Sequence, residues 1–174
     1  MIRHVLTYPD PFLKKVSRDV ETFDTSLHTL LDDMYETMVE HNGVGLAAIQ
    51  VGVDIRALVI NIPDEEGNQP TTQTLEMLNP VLAQGDGEQT YQEGCLSIPE
   101  YYDDVIRYQR VTVTYHDRNG TPTTLEAEDF LAVVIQHEMD HLTGNLFVEK
   151  LPMLRRKKFE KEWKRKLKTQ KHNL

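Results

Sequence analysis

Between residues 26 and 41 the apolar positions Leu27, Leu30, Leu31, Met34 and Met38 recur at intervals of three and four, and Asn42-Gly43 follows as a stop signal. That spacing puts all five side chains on one stripe, so the segment predicts an amphipathic helix laid on a core. The rhythm then changes. Residues 57–60, 75–82 and 111–115 are short runs rich in branched or aromatic side chains, and Asn119-Gly120 marks a hairpin turn into residues 121–125. These predict antiparallel strands. A second apolar run, 130–135, continues without a turn signal into Gln136-His137-Glu138-Met139-Asp140-His141-Leu142 and stops before Gly144. Glu128 and Asp129 stand in its first turn, where carboxylates favour the positive end of a helix dipole. It predicts a buried helix with polar groups near its end, and a last helix begins near Pro152. The expected class is α+β: antiparallel strands packed around the buried helix, an amphipathic helix in the N-terminal half and a basic helix at the C-terminal end.

With 174 residues, 39% of them apolar, the chain suits one core. A single domain over residues 1–174 is expected, with 151–174 as a basic tail. Charge is unevenly spread. The formal net charge is -9, yet residues 155–171 hold ten of the nineteen Lys and Arg and only two acids, Glu160 and Glu162. Before Arg155 stand nine basic and twenty-six acidic residues, a net charge of -17. Such a body is no nucleic-acid-binding fold as a whole, whereas the tail can touch phosphate. Phe159, Trp163 and Leu167 recur every fourth residue within that tail, after Leu154, so a helix there docks one apolar stripe and leaves its cations outside. Cys95 is the one cysteine, which rules out an intramolecular disulfide. Met1-Ile2-Arg3-His4 lacks the apolar stretch of a signal peptide, and no apolar run reaches membrane-spanning length. A reducing, cytoplasmic setting, a monomer and no membrane association are the expectations.

His137-Glu138-x-x-His141 carries the most chemistry. One helical turn separates the histidines, so both imidazoles can meet one cation, with Glu138 beside them to accept a proton from water. Two histidines and two carboxylates inside an apolar helix need something to compensate their desolvation, and a metal ion does so. The third ligand separates the hydrolase types. Gly144 fits the longer His-Glu-x-x-His-x-x-Gly-x-x-His pattern, but its last position is Phe147, which cannot bind metal. A protease-like site would take Glu149, Glu160 or Glu162, the last two from a strongly basic segment. Cys95 is the other candidate. A closed structural zinc site in a non-catalytic binding module is the rival of a different kind, although it gives Glu138 no task.

Glu93-Gly94-Cys95-Leu96-Ser97 resembles the second signature of the peptide deformylases, residues Gln136 to Leu142 the third, and Gly43-Val44-Gly45-Leu46-Ala47-Ala48-Ile49-Gln50 the first. All three occur in the family's order, and weaker similarity spans nearly the whole chain. The resemblance implies Cys95, His137 and His141 as metal ligands, with one position left open for water. It implies a native ferrous ion (Fe2+), which Zn2+, Ni2+ or Co2+ can replace, where ligand softness alone suggests zinc. Glu138 is then the proton-transferring residue, and the Gln50 side-chain amide and the Leu96 backbone N–H hold the oxyanion. The implied substrate is the N-formyl-methionyl nascent peptide, and the implied partner of the basic tail is the ribosome. Gly43, Val44, Gly45 and Ile49 are candidates for the substrate wall. An ion pair of Glu93 with Arg107 is expected to brace the Cys95 loop. The sequence departs from the family in three places. Ile49 and Ile106 stand where many members carry proline, and Tyr102 stands where some carry a peptide-contacting arginine. Tyr101 and Tyr102 offer aromatic area to the substrate instead.

Overall fold

The computed structural model describes residues 1–172; the last two residues of the expected tail lie outside that range. Helix α1 spans Thr25–Glu40 and is capped by Asp24, whose side chain accepts the Leu27 N–H at 3.0 Å. This cap starts the helix one residue earlier than the apolar periodicity alone places it. At its other end Asn42 adopts φ 56°, a left-handed turn that Asn tolerates, and Gly43 N–H bonds Met38 O at 2.9 Å.

Five strands form an antiparallel sheet in the order β1-β2-β3-β6-β7, namely Gly45–Ala47, Ala57–Ile60, Leu75–Asp86, Arg110–His116 and Pro122–Glu128. Strands β4 (Gln89–Cys95) and β5 (Ile98–Arg107) make a separate two-stranded sheet. The β6–β7 hairpin closes at Asn119-Gly120, where Gly120 has φ 82° and the Asp117 carboxylate accepts the N–H groups of Asn119 and Thr121. Four strands differ from the sequence expectation. β3 runs four residues past Leu82, and neither β1 nor the β4–β5 pair carries the alternation of a half-buried strand. β4 and β5 are polar because much of their surface faces solvent or a cleft.

Helix α2, Asp129–His141, lies on one face of the large sheet, with Ala132 and Ile135 packed among Leu58, Ile60, Met77 and Val113. α1 covers the opposite face, where Leu31, Met34 and Met38 meet Leu46, Val59 and Leu78. β2 is therefore buried on both faces, which explains why four consecutive residues there are apolar. Successive residues of β1 and β2 face α2 and α1 in turn.

Helix α3, Met153–His172, docks Phe159 and Trp163 into a third cluster with Ile98, Val105, Leu146 and Phe147. Leu167 joins its margin, while Leu154 is 84% exposed and stays outside the stripe. Burying a Phe side chain contributes about 1.5–3 kcal/mol, so this contact is a firm attachment. Trp163 Nε1–H donates to Tyr8 O at 3.0 Å, and Arg155 pairs with Asp103 of β5. Lys157, Lys158, Lys161, Lys164, Arg165 and Lys168 remain exposed. No helix among the described residues is long and apolar enough to cross a membrane.

Candidate active site

Cys95 ends β4 at the tip of the β4–β5 hairpin, where it faces Ile98 across a two-residue turn, Leu96-Ser97. α2 runs beneath that tip and presents His137 and His141 one turn apart, with ring centroids 5.2 Å from each other. One ligand atom from each of Cys95, His137 and His141 lies within 4.8 Å of the other two. The Cys95 Sγ to His141 Nε2 distance is 3.6 Å.

Donor chemistry tests whether a cation fits. One sulfur and two imidazole nitrogens are a soft-to-borderline set suited to zinc, iron, nickel or cobalt. His137 Nδ1 is engaged by Glu93 Oε1 at 2.9 Å, which leaves Nε2 for the cluster. Glu138 is outside the cluster and 4% exposed: its Oε1 sits 3.8 Å from His137 Nε2, and its Oε2 is buried with no hydrogen-bond partner among the described residues. The residues present fit a three-ligand site with a carboxylate standing beside it. The sequence alternatives lie elsewhere, since Glu149 pairs with Lys14 and Glu160 with Arg156. Phe147 stacks on the His137 ring at 6.0 Å between centroids.

Around this centre the charges are strongly perturbed. Burial pushes the Glu138 carboxyl up to about 7. Burial, with His137 and Arg107 adding to it, holds His141 well below the ordinary imidazole range. For His137 burial acts in the same direction, but hydrogen bonds to Cys95 and Glu93 outweigh it and raise the group. Burial likewise opposes ionisation of Glu93, yet Arg107 and His137 keep its pKa low. Arg107 donates Nε and Nη2 to the two oxygens of Glu93 at 2.6 and 2.8 Å, and Nη1 to Asp140 Oδ2 at 2.8 Å. The guanidinium thus ties β4 to α2.

A cleft of about 530 Å³ opens over Glu138 and Cys95. Its apolar lining includes Val44, Tyr91, Phe130, Val133 and Val134, with Tyr91 and Phe130 stacked at 4.9 Å. Gly43 and Gly45 form one wall: a Cβ on Gly43 would stand 2.9 Å from Leu96 Cδ1, and one on Gly45 2.9 Å from Glu138 Oε1. Gln50 is buried and aims Nε2 at Ser97 Oγ (3.0 Å) and Cys95 Sγ (3.5 Å), while its Oε1 accepts Ala47 N–H at 2.9 Å. The Tyr102 ring covers Gly94 at the cleft mouth, where a Cβ would lie 2.4 Å from it.

The structure therefore gathers Gly43, Val44, Gly45, Gln50, Glu93, Cys95, Leu96, Tyr102, His137, His141 and Glu138 at one place, with Arg107 behind them. Ile49 is the exception. The short 3-10 turn Ala48–Val51 sends its side chain into the core with Leu58 and Ile60, fully buried, and turns the next residue, Gln50, toward the cleft. Tyr101 likewise packs on Phe159 beneath α3, at 4.7 Å between ring centroids, rather than at the mouth. Asp140, Ser97, Tyr91 and Phe130 were not singled out from sequence. Tyr91 lies two residues before Glu93 on the same strand, and that alternation was the available signal.

Known proteins resemble this chain in sequence and in fold. The polypeptide deformylase family model matches residues 2–157. A peptide deformylase of Nautilia profundicola is 57% identical over 164 residues, 94% of each chain. That of Campylobacter jejuni is 52% identical over 172 residues, 98% of each chain. The crystal structure of a peptide deformylase from Legionella pneumophila superposes with a TM-score of 0.88 at 42% identity, covering 98% of both chains. With the family model covering most of its length and relatives of this identity spanning nearly all of it, the chain belongs to the peptide deformylase family.

Proposed function

We propose that this cleft hydrolyses the formamide at the initiator methionine of N-formyl-methionyl nascent peptides, releasing formate and a free amino terminus. The observation that carries the reading is the position of Glu138. Its carboxylate is buried beside the Cys95, His137 and His141 cluster, is no part of it, and borders the glycine wall of the cleft. Cys95, His137 and His141 would hold one divalent metal, Fe2+ as the native ion with Zn2+, Ni2+ or Co2+ as replacements, and when bound it supplies Lewis acidity that makes water nucleophilic near neutral pH.

Glu138 takes the proton of the attacking water and returns it to the departing amine. Gln50 Nε2 and the Leu96 backbone N–H hold the oxygen on which charge develops. Removing one such donor typically costs about 10² to 10³ in rate. Glu93 fixes the orientation of His137, and Arg107 fixes Glu93. The methionine side chain enters the apolar end between Val44, Tyr91, Phe130 and Val134, and the peptide backbone runs along residues 43–45. Tyr102 meets residues beyond methionine.

The same reading makes residues 1–174 one domain acting as a cytoplasmic monomer. Residues 151–174 are its basic tail, and the exposed cations of α3 meet ribosomal RNA phosphate. Formate release from a formyl-Met tripeptide by anaerobically purified protein, beside a peptide with only internal amide bonds, is the test. Turnover of the first alone is expected. Cleavage of the internal bond without formate release would make the site an endopeptidase.

A further inference from the structure

The wall formed by residues 43–45 comes too close to Leu96 and Glu138 to carry side chains at its two glycines. Glycine admits that approach but leaves the backbone poorly restrained, so rigidity has to come from behind the wall. Three contacts supply it. Met38 O receives Gly43 N–H, Asn61 N–H donates to Val44 O at 2.9 Å, and Gly45 pairs with Ile60 in the β1–β2 ladder.

A fourth comes from the polar loop after β2. Gln69 Nε2 donates to Gly43 O at 2.9 Å and to Asn61 O at 2.7 Å, which uses both amide hydrogens. The loop itself is tied down on either side of that amide. Tyr35 Oη–H of α1 donates to Gln69 O at 2.5 Å, and the buried Asn61 donates Nδ2 to Pro70 O at 2.9 Å and to Thr74 Oγ1 at 3.0 Å. A half-buried glutamine in a stretch that reads as ordinary surface loop, Asp64-Glu65-Glu66-Gly67-Asn68-Gln69-Pro70, is thus fixed at both ends and set against the wall.

We infer that Gln69 is a positioning residue for peptide binding: it holds the Gly43 and Asn61 carbonyls together and so keeps residues 43–45 in the alignment that the peptide backbone meets. The inference rests on the deformylase reading. Because the wall binds the peptide in ground and transition states alike, its loosening shows in KM rather than in kcat.

The experiment measures kcat, KM, metal content and thermal midpoint for the wild type, Gln69→Ala and Gln69→Glu with formyl-Met-Ala-Ser. Gln69→Ala is expected to raise KM about three- to tenfold, the range for one neutral hydrogen bond, with kcat and metal content close to wild type. Gln69→Glu keeps the length but sets an acceptor against two carbonyl oxygens, so KM rises at least as far. A lowered thermal midpoint with KM unchanged in both variants would show that Gln69 serves only its own loop and overturn the assignment. If the wild type itself releases no formate, the deformylase reading fails first and takes this role with it.

Discussion

Arg107 and Glu93 form a bidentate ion pair in which both partners are almost wholly buried, at 5% and 4% side-chain exposure. Glu93 passes the effect on by accepting His137 Nδ1–H at 2.9 Å. Arg107→Ala would strand a carboxylate in the protein interior, a loss of about 3–5 kcal/mol for a buried pair broken on one side. Disturbing the residue that orients a ligand histidine typically costs about 10- to 100-fold in metal affinity. A lower thermal midpoint and faster metal loss to a chelator, measured together, are expected. Unchanged metal retention would separate the ion pair from the metal cluster.

Gly45→Ala tests how closely the wall abuts Glu138, the proposed base. Its Cβ would sit 2.9 Å from Glu138 Oε1 and 3.0 Å from both Glu138 Cγ and Val134 Cγ1. Since α2 is packed on the sheet, the carboxylate has to move, and misplacing a reacting group by about 1 Å can cost roughly 10² in rate. A fall in kcat of that order with metal content preserved is expected. Near wild-type kcat would place Glu138 outside the reaction.

The helices and the central strands could be read from sequence because they are buried on defined faces. Leu27, Leu30, Leu31, Met34 and Met38 repeat with the helical period because one side of α1 meets the sheet, and all five are buried. β4 and β5 escaped notice because their pairing is backbone-driven and their side chains answer to a cleft, an ion pair and solvent. The Cys95, His137 and His141 cluster was legible only through short motifs, since His137 stands 42 positions after Cys95 in the chain and the hairpin tip brings the two together. Ile49 illustrates the limit: adjacency to Gln50 in sequence said nothing about which way a 3-10 turn would point it.

For α3, the burial of Phe159 and Trp163 means that truncation at Arg155 would uncover a cluster that includes Ile98 beside the Cys95 turn. Charge reversal is the cleaner probe. Changing the exposed Lys157, Lys158, Lys161 and Lys164 to Glu should weaken ribosome co-sedimentation most at low salt, by a margin that narrows as salt rises, and leave turnover of short formyl-Met peptides intact. Co-sedimentation equal to wild type at low salt would make these cations a solvated face only.

A thiolate-held ferrous ion is open to oxidation at both metal and sulfur. The iron-loaded protein is therefore expected to lose activity in air, and the nickel-loaded protein to keep it much longer. The two decay curves, followed side by side in air, decide this. Equal lifetimes would count against iron as the native ion.

The proposed division of labour between Glu138 and the cluster of Cys95, His137 and His141 is tested most directly by Glu138→Ala, with formate release and bound metal measured on the same sample. Because the carboxylate stands beside the cluster and is no part of it, turnover of formyl-Met peptides should disappear while one metal per chain stays bound. Loss of the metal together with activity, or substantial turnover with the metal retained, would contradict the account.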